Sequence, residues 1–265
     1  MRVSRVFSAT ALAEGEVVAL DEHSAHYLAN VLRLREGAQL VLFDGSGRDF
    51  DACINQVDRK RVSVRIGESR LVGNESPLQT TLAIGMGKGE RMDWVVQKTT
   101  ELGVNSIQPL WSARVEVKLT GERLARKRDH WRQVSIAACE QCGRSRLVQI
   151  AAPLVFEDWL TQIPATRAVD NNEKRSATSK VPCETSEARL LMHGTGERFA
   201  EFAATGVMPS RAILLVGPEG GFTPPELGLA EAAGFQRLQF GPRVLRTETA
   251  PVVGIALLQQ QWGDY

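Results

Sequence analysis

The sequence predicts an α/β protein in two parts, a small N-terminal β-barrel followed by a larger domain on a largely parallel sheet covered on both faces. Three observations predict this. Up to about Ser69, apolar and polar side chains alternate between Gly- and Asp-rich turns, as they do in half-buried strands. Leu71 to Gln79 (LVGNESPLQ) then has the Gly, Asn, Ser and Pro content of a linker. Beyond it, short apolar runs alternate with stretches of helical period, the rhythm of βαβ units. The boundary is placed in the linker, giving domains 1–72 and 73–265.

In the first part, Gln39 to Phe43 reads as a strand, Asp44-Gly-Ser-Gly47 as a turn, and Phe50 to Val57 as its partner. After the turn Asp58-Arg-Lys60, Val62, Val64 and Ile66 alternate with Arg61, Ser63 and Arg65. One helix is expected near Ser24 to Leu32. In the second part, Thr80 to Ile84 is a buried strand and Gly85 to Gly89 a turn. Met92, Val95, Val96, Thr99 and Leu102 recur at helical spacing, with Gly103 as the stop. Ile107 to Leu110 returns to strand, and Glu122 to Cys142 is a long helix turning Leu124, Trp131, Val134 and Ala138 inward. Arg189 to Met192, Ala212 to Val216 and Arg237 to Phe240 are further strands, and Pro251 to Trp262 is an apolar helix. Thr166 to Ala188 is polar and free of aromatics, and reads as a surface loop.

The chain carries 32 basic and 31 acidic side chains, a net charge of +1. That sum conceals segregation. Arg114 to Arg146 contains nine basic residues (Arg114, Lys118, Arg123, Arg126, Lys127, Arg128, Arg132, Arg144, Arg146) against four acidic ones (Glu116, Glu122, Asp129, Glu140), a local excess of +5. Arg2, Arg5, Arg33, Arg35 and Arg59-Lys60-Arg61 add positive charge to the first part. Such a face suits a phosphate backbone, although a solvated helix surface has the same composition. No stretch has the ~18–20 consecutive apolar residues of a membrane span, and the N-terminus lacks a secretory apolar region, so a cytoplasmic protein is expected. Cys53, Cys139, Cys142 and Cys183 form no disulfide framework. Cys139 and Cys142 stand as C-x-x-C without a second pair or a His cluster, so no metal is expected. His23, His26, His130 and His193 fit no nucleophile pattern, which leaves hydrolase chemistry without footing.

Two glycine-rich loops follow strands. Gly85-Met-Gly-Lys-Gly89 lacks the third glycine spacing of a dinucleotide site, and Lys88 and Arg91 place cations where the helix dipole disfavours them. They either reach for an external phosphate or sit at a plain strand-to-helix turn. Val216-Gly-Pro-Glu-Gly-Gly-Phe222 is more informative, because Thr223 and Glu226 have capping-box spacing with Pro224 at the first helical position. Its glycines let a ligand approach the backbone, and Glu219 adds one carboxylate. Arg246 and Glu248 lie beyond the strand at Arg237 to Phe240, where open α/β sheets bind ligands.

GPEGGF followed by LQFGPRVLRTETA closely resembles the RsmE family of 16S ribosomal RNA uridine-N3 methyltransferases of the SPOUT class. KGERMDWVVQKTTELGV (Lys88 to Val104), WRQVSIAACEQCGR (Trp131 to Arg144) and HYLANVLRLREG (His26 to Gly37) are similar to further segments of that family, in order along nearly the whole chain. Thr166 to Ala188 departs from it, where the family has a shorter segment.

The resemblance implies a C-terminal trefoil knot, a PUA-like RNA-binding barrel over 1–72, and S-adenosylmethionine as cofactor. It implies cofactor contacts from Met192, His193 and Gly194, from Gly217, Pro218, Gly220 and Gly221, and from Phe240, Gly241, Leu245 and Thr247. Uridine N3 must lose a proton, so Arg246 is the candidate for stabilising the uridinate and Glu219 or Glu248 for the base, with Glu140 a more distant choice. The alternative is that Glu219 and Arg246 pair to brace the two loops. Arg5, Lys88, Arg91, Arg132 and Arg144 are expected to bind RNA. The implied partners are 16S rRNA in the 30S subunit and a second copy of the chain, without membrane or DNA. A non-enzymatic RNA-binding protein of the same architecture is the competing reading.

Overall fold

The computed structural model describes residues 3–58, 61–115, 119–164, 187–206 and 208–265. Arg2, Arg59, Lys60, Glu116, Lys118 and Cys183 lie outside them, as does the expected surface loop except its last two residues, Glu187 and Ala188, which open a strand. The chain separates into two compact units, one running to Glu75 and including Ser135–Leu147, the other comprising Ser76–Val134 and Val148–Tyr265.

The first unit contains β1 (Ser4–Phe7), β2 (Val17–Ala19), α1 (Glu22–His26), a π-turn over Tyr27–Val31, β3 (Gln39–Phe43), β4 (Arg48–Val57) and β5 (Val62–Leu71). The strands form one sheet in the order β1-β3-β4-β5-β2, antiparallel except where β1 runs parallel to β3. The period-two pattern decides what it buries. Leu40 and Leu42, Phe50, Ala52 and Ile54, and Val62, Val64 and Ile66 share one core with Leu28. Asp21 starts α1 by accepting the Ser24 N–H at 3.0 Å. A second cluster joins Phe7 and Phe43 to Ile136 and Cys139, so Ser135–Leu147 groups with this unit. Burial pushes the Cys139 thiol up to about 12, which leaves it an inert core residue.

The second unit contains β6 (Gln79–Gly85), α2 (Arg91–Glu101), β7 (Ser106–Trp111), α3 (Gly121–Cys142, whose last turns belong to the first unit), β8 (Gln149–Ile150), β9 (Leu154–Val155) and α4 (Phe156–Gln162). It continues with β10 (Glu187–Arg198), α5 (Phe199–Ala203), β11 (Arg211–Val216), α6 (Pro224–Ala232), β12 (Gln236–Gln239) and α7 (Ala250–Trp262). All pairings are parallel, in the order β12-β10-β11-β6-β7-β8, with β9 also on β7. The register aligns Leu190, Leu214, Leu82 and Ile107 in one row, each fully buried. The next row, Leu191, Leu215 and Ala83, points to the opposite face. Alternate rows therefore feed two cores, one with Trp131, Ile255, Leu258 and Trp262, the other with Phe156, Trp159, Phe222 and Leu227. This explains why the strands read as continuous apolar runs. Gly103, at φ +84°, ends α2 in the left-handed region that side-chain-bearing residues avoid.

Six short elements were absent from the expected set: β1 and β2, with four and three residues, α4 and α5, with seven and five, and the two-residue strands β8 and β9. β10 also runs past its expected end at Met192, because its pairing with β12 shifts there and resumes at Glu197 opposite Leu238. Among the described residues no helix is long and apolar enough to cross a membrane.

Candidate active site

In the second unit, β10 where its register shifts after Met192 and the segments leaving β11 and β12 surround a cavity of about 210 Å³. Every residue expected to contact a cofactor lines it except Gly220. Val216, Phe222, Arg243, Val244 and Ala250 line it as well. Val216 and Phe222 bound the glycine loop read from the sequence, and Arg243 and Val244 lie inside the motif LQFGPRVLRTETA, but none of the four was singled out as a contact.

The loop after β11 is fixed from several sides. Gly221 N–H donates to Pro218 O at 2.8 Å, closing a turn around Glu219 and Gly220. Thr223 caps α6 in the expected capping box, and Glu226 Oε2 accepts the Thr223 N–H at 2.7 Å. Glu226 is 2% exposed, and its Oε1 accepts the Ala113 N–H at 2.7 Å, tying the segment after β7 to the same turn. Arg114 donates to Gly220 O at 2.6 Å, which accounts for the absence of Gly220 from the cavity wall. Gly85, at the end of β6, is required by close approach: a Cβ there would lie 2.5 Å from Pro218 Cδ. Its role is to seat the loop after β11, which the expectation of a turn over Gly85 to Gly89 did not reveal.

Charge is concentrated at one rim. The Arg91 guanidinium donates to Glu219 Oε1, and the Lys88 N–H donates to the same oxygen at 3.2 Å. Arg91 Nε also lies 3.8 Å from Glu248 Oε2. Burial raises the proton affinity of Glu219, but its own backbone N–H, that of Lys88 and the Arg91 guanidinium outweigh this, so the carboxyl sits below its ordinary value and stays ionised. The bracing partner of Glu219 is thus Arg91, not Arg246. Arg246 is exposed, and among the described residues no partner engages its side chain. Its carbonyl accepts the N–H groups of Thr249 and Ala250, both at 2.9 Å, which sets the entry into α7.

Phe240 stacks on Phe199 with ring centroids 4.8 Å apart. His193 Nδ1 accepts the Thr195 N–H at 3.2 Å, holding the imidazole against its own strand. Leu245 packs against the core on the α7 side of the sheet.

The expected RNA-binding residues divide. Lys88, Arg91 and Arg132 are exposed, as are Arg123, Arg126 and Arg128 on α3. Arg5 and Arg144 are corrected to structural residues of the first unit. Arg144 is 4% exposed and pairs with Glu75 at 2.7 Å, while Arg5 pairs with Asp49, itself buried. A count of charge along the sequence cannot show that acidic partners 69 and 44 residues away have claimed Arg144 and Arg5. Glu140 also lies in the first unit, where its Oε1 accepts the Phe7 N–H. Among the described residues no group of His, Cys, Asp and Glu side chains could hold a metal ion.

A parallel α/β sheet with a glycine-lined cavity where β11 and β12 end defines a small-ligand-binding domain of the doubly wound class. Comparison with known proteins makes this specific. Residues 74–259 match the family model for an RNA methyltransferase domain, and residues 20–67 match an RNA methyltransferase PUA domain. The chain belongs to the RNA methyltransferase family. It is 33% identical over 239 residues to the ribosomal RNA small subunit methyltransferase E of Synechocystis sp., covering 90% of this chain and 71% of that one. It is 26% identical to the protein of the same name in Bacillus subtilis, covering 94% and 91%. Among solved structures, the ribosomal RNA small subunit methyltransferase E of Neisseria gonorrhoeae, bound to S-adenosylmethionine, superposes with a TM-score of 0.83 at 31% identity over the whole of both chains. A Legionella pneumophila protein solved with bound SAM superposes at 0.87 with 34% identity, again over both whole chains. The resemblance read from the two glycine loops is borne out.

Proposed function

We propose that this chain transfers the methyl group of S-adenosylmethionine to N3 of a uridine in 16S ribosomal RNA, acting on the 30S subunit as a homodimer in the cytoplasm. The carrying observation is the glycine-loop cavity formed by β10 and the segments leaving β11 and β12 in a chain of the RNA methyltransferase family. The reading includes the C-terminal trefoil knot of the SPOUT class and RNA binding by the first unit.

The residues fit the cofactor. Val216, Phe222 and Leu245 offer apolar surface to a flat adenine, and Gly217, Gly221 and Gly241 leave backbone groups open to its polar edge. Glu219 is the lining carboxylate, and being ionised it complements a sulfonium cation. The bound cofactor supplies an electrophilic methyl group. The chain must manage the uridine proton and the charge left behind. Arg246, exposed and without a partner among the described residues, follows Leu245 in sequence and would donate to O2 or O4, spreading the negative charge of the uridinate. Glu219 is clamped by two donors and holds a proton poorly, so its role is to position the loop and face the cation. Glu248 is held less tightly: Arg91 Nε at 3.8 Å is beyond hydrogen-bond distance, which leaves its carboxylate able to accept the N3 proton. Lys88, Arg132 and the exposed arginines of α3 would hold backbone phosphates while the target base is splayed out.

Tritium transfer from labelled S-adenosylmethionine to small-subunit rRNA tests this. Incorporation is expected. Tight RNA binding without incorporation, on naked RNA and on 30S subunits alike, would leave a binding protein.

A further inference from the structure

The first unit holds a cavity of about 460 Å³, within the roughly 300–1,000 Å³ range of small-ligand clefts, that the methyl-transfer chemistry does not use. Val3, His23 and Tyr27 line one part of it, and Glu140 with Ala137 from the last turns of α3 lines another. Tyr27 is 39% exposed, a large aromatic ring left on the surface by the π-turn that carries it. Glu140 uses one oxygen to accept the Phe7 N–H at 3.0 Å, and among the described residues no donor reaches the other. Burial raises the proton affinity of this carboxyl by more than the Phe7 N–H lowers it. A partly desolvated carboxyl with a spare acceptor oxygen, beside an exposed aromatic face, suits a flat ligand with two adjacent N–H donors on its edge.

We propose that this cavity binds an unpaired guanine of the RNA substrate, Glu140 accepting hydrogen bonds from its N1–H and N2 amino groups and Tyr27 packing on its face. The inference rests on the reading of the chain as an rRNA methyltransferase. Guanine is the base that presents two neighbouring donors on its Watson–Crick edge, and splayed bases are read by such edge contacts combined with aromatic stacking. His23, exposed at the rim, is available to donate to guanine O6. Adenine and the pyrimidines lack the paired donors and leave the carboxylate only partly satisfied.

The test uses the full chain and fluorescein-labelled hexauridylates with one central substitution, read by fluorescence anisotropy at fixed salt. Guanine should bind about tenfold more tightly than inosine, which lacks the N2 amino group, because the lost bond is to a charged acceptor. Glu140→Gln keeps a carbonyl for the Phe7 N–H but not a two-acceptor edge, so it should abolish the guanine preference with an unchanged circular dichroism spectrum. Tyr27→Ala should weaken guanine and inosine oligonucleotides alike by about tenfold, as loss of a stacking face does. Equal or undetectable binding of the guanine and inosine oligonucleotides, tighter binding of the adenine one, or a preference surviving Glu140→Gln overturns the proposal. Methyl transfer by the unmodified protein is measured in parallel. Transfer without guanine preference defeats only the guanine site, whereas absence of transfer defeats the reading beneath it.

Discussion

Arg91 and Glu219 stand 128 residues apart, and the guanidinium of the first donates to the carboxylate of the second. The contact joins the start of α2 to the loop after β11, and through Arg91 Nε it approaches Glu248 before α7. Removing Arg91 should leave the Glu219 carboxyl with burial less fully opposed. Because its folded pKa lies below the ordinary 4.5, the favourable contribution of this carboxylate is complete above that pH and is lost as pH falls through the lowered value. Arg91→Ala should move the acid limit of S-adenosylmethionine binding upward in pH and weaken binding at neutral pH by roughly threefold to tenfold, a modest figure because the pair is partly exposed. Calorimetric titration across the acid range measures both. An acid limit unmoved by the substitution would separate Glu219 from the cofactor.

Gly85→Ala places a methyl group 2.5 Å from Pro218 Cδ and 2.6 Å from Pro218 N, against backbone that is itself pinned by Glu226 and Arg114. The loop from Gly217 to Gly221 has to move, at a cost of about 1–3 kcal/mol. Cofactor affinity should fall by about tenfold or more, with a lower melting temperature. Equilibrium dialysis with labelled cofactor checks the first and calorimetry the second.

Arg246 is exposed and its side chain has no partner among the described residues, so its loss should not unfold the protein. Arg246→Ala is expected to lower kcat by about 10²–10³ while cofactor affinity and melting temperature stay unchanged, the pattern of a group that acts on charge formed in the transition state. Arg246→Lys should recover part of the rate.

Arg144 is expected to behave in the opposite way. Its side chain is 5% exposed and paired with Glu75, so Arg144→Ala strands a partly buried carboxylate and should cost about 1–3 kcal/mol of stability. The salt dependence of RNA binding should not change. Arg132→Ala, on the exposed face of α3, should instead weaken RNA binding and flatten its salt dependence by about one charge.

The difference between these two arginines marks the limit of what the sequence reveals. Periodicity located the parallel strands, because residues such as Leu82, Ala83 and Ile84 are buried on both faces and leave no polar alternation. It located the glycine loop that lines the cavity, because Gly217 to Gly221 and the Thr223 capping box follow a strand directly. It missed β1, β2, β8, β9, α4 and α5, which are too short to complete a pattern and are held by their neighbours. It placed Arg5 and Arg144 on an RNA-binding face because a linear count of charge contains no information about Asp49 and Glu75. The clamp of Arg91 on Glu219 was invisible for the same reason, since it exists only once β6 and β11 pair.

The central claim is the site of methylation. 30S subunits from cells lacking this enzyme, incubated with the protein and S-adenosylmethionine carrying a deuterated methyl group, can be digested to nucleosides and analysed by mass spectrometry. Deuterated 3-methyluridine is the predicted product, formed by the unmodified protein and strongly reduced with Arg246→Ala. Label on another nucleoside, or none in the rRNA while the protein binds cofactor, would contradict the account.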